Sequence, residues 1–525
     1  SIIIRKIEVM PKGKTSRTIR GVITDKAREP LPGVTVLLKG TSVGTASNME
    51  GEFALEVMKD VDSLVVTFVG MKTQYVKLRP EISIYKIQIE EMDEVVITGY
   101  QTIDKRKNTS AVQTLQMDDI KVPGVTRVDQ LLEGHVPGMT FMQNSGQVGA
   151  APKLRVRGTS TILGNQEPVW VLDGIILRDP VNVSPTLANN LDFVNLVGNA
   201  ISGINPDDIE SMSLLTGPSA AALYGYEGAN GVVLITTKKG RADKTTVTYS
   251  NNTTFSDPMM MPKFQNTYGN MTGEMMSWGL ETDKRYDPAN FFNTGSNVSN
   301  ALSLSTGNDK SQSYISVATT NATGIMPNND YDRYNFSFRN TTNFLNNKFI
   351  LDTSANYIIQ NDKNMVSQGQ YFNPLTSLYL FPRGEDFSDV AVYERYDDLS
   401  GVNTQYWPYG DLGGVSSQNP YWIMNRMNRE NDRRRYKLAA SLQYNIIEGL
   451  NVQGRVSIDN TESTYTEKFH AGTVGNFAGP KGRYKEENRL DRQVYADVLA
   501  NFNKTFNEFN VTANLGASIK DLRME

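Results

Sequence analysis

The sequence predicts a mainly β protein of several folding units: a small β-sandwich, a mixed α+β domain, and strands of an antiparallel transmembrane β-barrel. Three observations predict it. The chain has 525 residues, more than one core can organise. Between Thr18 and about Ile89, short apolar or alternating runs are punctuated by Gly, Pro and Asn. After about Thr245 the runs become strands of roughly nine to eleven residues with strict period-two patterning, the form a membrane-spanning strand takes.

Composition narrows the function classes. With 53 Lys+Arg against 57 Asp+Glu and a net charge of -4, no nucleic-acid binder held by bulk electrostatics is expected. The absence of Cys removes disulfides and thiolate metal sites. His135 and His470 are the sole histidines, so histidine-rich metal centres are excluded and any Ser-His-Asp triad rests on one of two residues. Each is expected to be structural or on the surface, leaving no catalytic, metal or cofactor site. The longest apolar stretches, such as Leu64 to Val69, have strand length, far short of the roughly 18 residues of a spanning helix. A membrane location therefore requires a barrel, whose alternating faces keep mean hydropathy low.

Residues 18–90 read as the sandwich. The runs IRGVITD, GVTVLLKG, GEFALEV, SLVVTFVG and TQYVKL are separated by EPLPG, SNMEG and MKDVD, strand lengths and turn chemistry that suit an antiparallel sandwich. The stretch GVITDKAREPLPGVTVLLKGTSVGTASNMEGEFALEV resembles the carboxypeptidase-regulatory-like domain at the start of SusC/RagA-type TonB-dependent outer-membrane transporters. A true metallocarboxypeptidase is excluded because its zinc-ligand spacing is missing. Upstream, within residues 1–17, Ile2 to Val9 reads as one more strand. The resemblance implies the end of a signalling domain that contacts an anti-sigma factor; an ordinary extra strand is the alternative.

Residues 91–109 hold Asp93, Glu94, Val95, Val96, Ile97 and Thr98, an acidic lead passing into a β-branched run. An extended segment with a free edge suits strand addition by a partner. It is similar to the family's TonB box, with an ordinary edge strand of the sandwich as the alternative.

Residues 110–240 carry four motifs in order that resemble a TonB-receptor plug. They are the short helix and turn of VDQLLEGHVPGM, the pair LRVRGT and PVWVLDG, the stretch INPDDIES with LLTGPSAAALYG, and the closing GANGVVLITTKKG. Gly158, Gly174, Gly225 and Gly231 permit tight turns and close backbone approach. Asp173 belongs to the VLDG motif. Arg155 and Arg157 alternate from one strand, placed to pair with carboxylates of a barrel wall, or else to lie in solvent. Asp207, Asp208 and Glu210 lack calcium-loop spacing and read as a helix start or loop. LLTGPSAAALYG matches no phosphate-loop pattern.

Residues 241–525 read as barrel. In Tyr436 to Tyr444 one face is Tyr436, Leu438, Ala440, Leu442 and Tyr444, and the other is Lys437, Ala439, Ser441 and Gln443. Phe349 to Tyr357 repeats the arrangement, with aromatics at both ends of the apolar face. Further strands are expected at 247–249, 314–319, 334–338, 452–458, 494–502 and 509–517. The long connection from Gly369 to Asp432 is rich in rings, among them Tyr406, Trp407, Tyr409, Tyr421 and Trp422. Beside carboxylates and amides these suit stacking on a sugar or peptide; packing of the loop or a partner protein is the equal alternative.

The resemblance implies a 22-stranded barrel, of which this chain would supply the first third to half. It further implies import energised by TonB with ExbB and ExbD, a SusD-like surface lipoprotein, and an oligosaccharide or, less often, peptide substrate. A TonB-dependent siderophore or vitamin receptor with a signalling role is the other class.

Overall fold

The computed structural model describes residues 16–525 apart from 26–27, 40, 42, 59–62, 69–73, 80–81, 90–94, 98–101, 105–111, 121–126, 143–148, 150–151, 159–165, 179–199, 202, 243–244, 272–273, 275, 285, 367–371, 410, 413–414 and 507–508. The strand expected at Ile2 to Val9 lies outside the described residues. The chain divides into one unit of residues 1–95 with 104–108 and a second of 96–103 with 109–525.

The first unit is a sandwich of seven strands: β1 (Ser16–Thr24), β2 (Thr35–Leu38), β3 (Gly44–Ala46), β4 (Glu52–Met58), β5 (Ser63–Thr67), β6 (Gln74–Lys77) and β7 (Ile84–Gln88). One sheet has the order β4-β1-β7 and the other β3-β2-β5-β6. Period-two alternation sends Ile19, Ile23, Val36, Leu38, Phe53, Leu55, Leu64, Val66 and Ile87 into the shared core. Turn chemistry holds the ends. Ser47 Oγ accepts from the Val34 N–H at 2.9 Å and donates to the Leu31 carbonyl at 2.7 Å, tying down the PLPG turn. The expected all-antiparallel pairing needs one correction, since β1 and β7 run parallel. Their connection spans both sheets, so the returning strand enters β1's free edge in the same direction.

At the boundary, β8 (Val95–Ile97) and β9 (Thr102–Asp104) form a two-stranded sheet. The second unit then opens with a small five-stranded sheet of order β10-β15-β16-β13-β14, made of β10 (Val112–Gln116), β13 (Val169–Leu172), β14 (Ile175–Ile176), β15 (Ile209–Leu215) and β16 (Val232–Thr237). A separate ribbon pairs β11 (Met139–Met142) with β12 (Lys153–Val156). β16 opens as a continuous apolar run, and with β15 it has both faces covered: Met212, Leu214, Val233 and Ile235 enter one cluster, and Leu215, Val232 and Leu234 another. The helix Pro218–Tyr224 starts after Gly217 and packs on the second cluster through Ala220 and Tyr224.

Nine strands build the wall, each antiparallel to the next: β17 (Thr246–Ser256), β18 (Gly295–Gly307), β19 (Ser311–Thr323), β20 (Asp330–Phe344), β21 (Phe349–Lys363), then β26 (Met427–Ile447), β27 (Leu450–Phe469), β28 (Arg483–Phe506) and β29 (Phe509–Met524). Two ribbons, β22 (Glu394–Asp397) with β23 (Val402–Gln405) and β24 (Asp411–Leu412) with β25 (Val415–Ser416), lie between β21 and β26. The two strands with aromatic-ended apolar faces prove to be neighbours in register. Phe349 lies opposite Tyr444, Leu351 opposite Leu442, Ala355 opposite Leu438 and Tyr357 opposite Tyr436. The Phe349 and Tyr444 rings stack at 4.6 Å. Leu438 and Leu442 are 47% and 48% exposed, while Lys437, next to Leu438 on the opposite face, is only 7% exposed. That inverted burial suits lipid outside and polar contacts within.

The wall differs from expectation in length. Its strands run from 11 to 24 residues, and all but β17 are longer than membrane crossing requires, because the ladder continues where both faces are polar. Short connections at 308–310, 345–348 and 448–449 lie at one end; long ones at 257–294, 364–426 and 470–482 lie at the other. No helix among the described residues is long and apolar enough to cross a membrane.

Candidate functional site at the plug and wall

The inner domain meets the wall through polar contacts placed by tight turns. Asp173 and Gly174 have φ of +49° and +84°, the two left-handed residues of a two-residue hairpin, here between β13 and β14. The turn aims the Asp173 carboxylate back across β16, where it accepts from the Thr237 N–H at 3.0 Å and the Thr237 hydroxyl at 2.8 Å. Arg339 of β20 donates to the same carboxylate at 2.8 Å and forms a bidentate pair with Asp352 of β21 at 2.9 and 2.8 Å. Lys239 reaches Asp352 at 3.3 Å. Burial raises the Asp173 carboxyl, but the Arg339 charge and the Thr237 hydrogen bonds outweigh it and hold the group below the ordinary range.

A second contact has the opposite electrostatic character. Asn205 caps the turn Pro206–Asp208, accepting from the Asp207 N–H at 3.2 Å, and so points Asp208 at the wall. There Tyr314 donates to it at 3.0 Å and Ser337 at 2.7 Å. Burial pushes the Asp208 carboxyl above its usual range, and the hydrogen bonds from Ser337 and Tyr314 oppose this without reversing it. Further contacts are Glu227 with Lys520 at 2.7 Å and the Gln493 amide on the Ile176 carbonyl at 2.8 Å.

The long connections fold on each other at the far end. Residues 364–426 carry the helices Pro374–Tyr379 and Pro420–Arg426 and share a core with residues 286–292 and 469–478. The aromatic stretch thus has structure of its own and ends at Arg426, since β26 begins at Met427 rather than beyond Asp432. Arg383 is buried between the Phe264 and Tyr286 rings, 4.3 and 4.8 Å from their centres, joining two connections.

Comparison with known proteins agrees with this architecture. The TonB-dependent Receptor Plug Domain family matches residues 104–232, and the CarboxypepD_reg-like domain family matches residues 19–97. TonB-dependent receptor SusC of Bacteroides thetaiotaomicron is 24% identical over 521 residues, covering 94% of this chain and 49% of that protein. TonB-dependent receptor P26 of Formosa agariphila is 28% identical over 406 residues, covering 74% of this chain and 38% of that one. The chain is thus similar over nearly its whole length to TonB-dependent receptor SusC and carries matches to the plug and CarboxypepD_reg-like domains. The RagAB peptide importer in its open-open state shares the fold, with a TM-score of 0.58 at 18% identity over 82% of this chain and 49% of that one. The chain spans about half the length of the curated relatives it matches or less. SusC-type receptors are outer-membrane β-barrel proteins.

The residues singled out from sequence fall as follows. Val95, Val96 and Ile97 form β8, hydrogen-bonded to the chain's own β9; Asp93, Glu94 and Thr98 lie outside the described residues. Arg155 is half-buried on β12, and Arg157 is exposed with φ of +56° beside Gly158 at +92°. Gly225 and Gly231 have φ of +62° and +92° and flank the turn Gly225–Asn230 before β16. The described plug-to-wall ion pairs at Asp173 and Glu227 place the acid on the plug and the base on the wall, the reverse of the polarity expected for Arg155 and Arg157; Lys239 with Asp352 runs the expected way.

Of the two expectations for the rings, ligand stacking or packing of the connection, Trp422 follows the second. It is 0% exposed and donates to the Thr473 hydroxyl at 3.1 Å, so its ring packs the connection and offers a ligand no face. Tyr406, Trp407, Tyr409 and Tyr421 are half-buried against the same core, with Arg395 over the Tyr406 ring at 3.2 Å and Trp407 edge-on to Tyr409 at 5.1 Å. Among the described residues no cluster of three or more His, Asp or Glu could hold a metal. Sequence reasoning missed Asp208, Arg339 and Asp352 as contact residues. The second Asp of Asn-Pro-Asp-Asp or an Arg on a predicted strand carries no signal for a partner more than a hundred residues away.

Proposed function

We propose that this chain is part of an importer that carries oligosaccharides across the bacterial outer membrane, energised by TonB with ExbB and ExbD and working with a SusD-like surface lipoprotein. The observation that supports it most is a plug tied to the wall by a few exchangeable polar contacts, with Asp173 and Arg339 at their centre. Such contacts hold against thermal motion and yield to a directed pull. The segment Asp93 to Thr98, between sandwich and plug, is the handle in this reading: the short β8–β9 pairing would give way to a TonB strand. Cargo then passes between plug and wall, and no covalent bond in it changes.

Peptide import, the activity for which RagAB is named, is the second reading, and that likeness at 18% identity supports the fold and not the cargo. Siderophore or vitamin uptake with signalling to an anti-sigma factor is the third. The test is uptake of radiolabelled oligosaccharides and peptides by cells carrying the intact protein, against cells lacking residues 93–99. Loss of oligosaccharide uptake at normal outer-membrane abundance is expected. Loss for peptides alone replaces the cargo, and undiminished uptake of both overturns the import reading.

A further inference from the structure

Between the plug and β20, β21, β26, β27 and β28 lies an open cavity of about 770 Å³, within the size range of small-ligand sites. Its plug side includes Asp173, Gly174 and Lys239, and its wall side is rich in hydroxyls and amides, among them Ser354, Asn356, Ser441, Gln443, Gln453 and Asn501. The charges around it are nearly all matched. Arg339 serves Asp173 and Asp352, Arg435 holds Asp459 at 2.8 and 2.6 Å, and Arg455 holds Asp497 at 3.0 and 2.5 Å. Lys239 adds to Asp352, and Lys348 and Glu448 cancel at the turn end. The small space beyond adds Asp208 and Lys238, again one of each sign.

Lys437 is the surplus. It lines the cavity at only 7% exposure, and its Nζ has no hydrogen-bond partner among the described residues. An ammonium so placed, with its three donors unused, is costly unless an anion completes it. Asp173 and Asp459 lie near enough to act on it through space, yet each is already held by its own arginine. The neighbouring hydroxyls and amides supply hydrogen bonds to a polar body and no second negative charge.

We propose that Lys437 and the plug-facing cavity form a binding site for a carboxylate group carried by the cargo, either a uronic acid of an oligosaccharide or the C-terminus of a peptide. The site rests on the import reading for its role, because the cavity lies between plug and wall where that reading routes the cargo. A carboxylate entering there would pair with Lys437 while its polar remainder meets Ser354, Asn356 and Gln453. Neutral cargo would gain only the hydrogen bonds.

The test is titration calorimetry on the purified full-length protein, which needs no energised transport and so stands or falls apart from the uptake experiment. The probes are sodium glucuronate and acetyl-dialanine, with glucuronamide and acetyl-dialanine amide as their neutral counterparts. Both or either of the carboxylates should bind, Lys437→Met should weaken that binding at least tenfold, and Lys437→Arg should keep it. Preference for glucuronate assigns the sugar source and preference for the dipeptide the peptide source. Absence of binding to the unaltered protein, or equal binding by acids and neutral counterparts, overturns the site. Thermal unfolding of Lys437→Met checks that the variant is folded; loss of an uncompensated charge should leave its Tm unchanged or raise it.

Discussion

The sandwich and the wall are written in the same period-two alphabet and read in opposite senses. In the sandwich Ile19, Leu64 and Val66 are fully buried while polar neighbours face outward. In the wall Leu438 and Leu442 face outward while Arg435, Arg455, Asp459 and Asp497 are buried. Alternation alone shows that a strand has two unlike environments; which face is buried shows what surrounds the molecule. For the sandwich that is water, and for the wall it is hydrocarbon outside and a polar interior within.

The comparison breaks hardest at the buried charges. The Arg455 and Asp497 side chains are 5% and 1% exposed, and Tyr495 also donates to Asp497 at 2.7 Å. Arg455→Leu should destabilise the folded protein by about 3–5 kcal/mol, because it strands a buried carboxylate. Replacing both partners with Leu should recover most of that loss. Urea unfolding of the intact protein in lipid vesicles reads both, and a single variant as stable as the parent would refute the polar interior. An ordinary core substitution in the sandwich, Leu64→Ala, should cost about 2–5 kcal/mol and act on the sandwich's own transition.

The outward faces separate the two regions next. Leu438 and Ile84 are both exposed, at 47% and 70%, but they meet different surroundings. Leu438→Arg should cost about 2–4 kcal/mol in vesicles, since the charge enters hydrocarbon. Ile84→Arg on the sandwich should stay within about 0.5 kcal/mol. Equal costs at the two positions would mean that the wall's outer face is not lipid-facing.

How much of this was legible in the sequence follows from the range of the forces. The faces of β21 and β26 were readable because lipid contact demands bulky apolar residues every second position, and their match in register follows from that demand. β18 was not anticipated: GSNVSNALSLSTG places Ser and Asn on both faces, so its alternation is too weak to see. The Asp-Gly turn is a local signal, whereas the Asp173 contact with Arg339 spans 166 residues. Rings in the 364–426 connection were visible as rings. That Trp422 is interior and Tyr421 half-buried depends on residues 469–478, distant in sequence.

The smallest effect, and the sharpest within the plug itself, concerns pH. Asp173 is held below its ordinary value of 3.8, so its contribution is present above that pH and lost as pH falls through the lowered value. Asp208 is raised above 3.8, so its contribution is complete below that pH and lost as pH rises through the raised value. The two carboxylates therefore pull plug stability in opposite directions between acid and neutral pH. Asp208→Asn should raise Tm modestly at pH 7 and leave it near the parent's at pH 3.5, because Tyr314 and Ser337 are hydroxyls able to donate to or accept from an amide. Asp173→Asn should lower Tm at pH 7, by more than Asp208→Asn raises it, since Arg339 then loses one of its two anions. A fall in Tm for Asp208→Asn at pH 7 would show that the buried carboxylate is ionised and held by the Tyr314 and Ser337 hydroxyls, and that burial does not decide its charge.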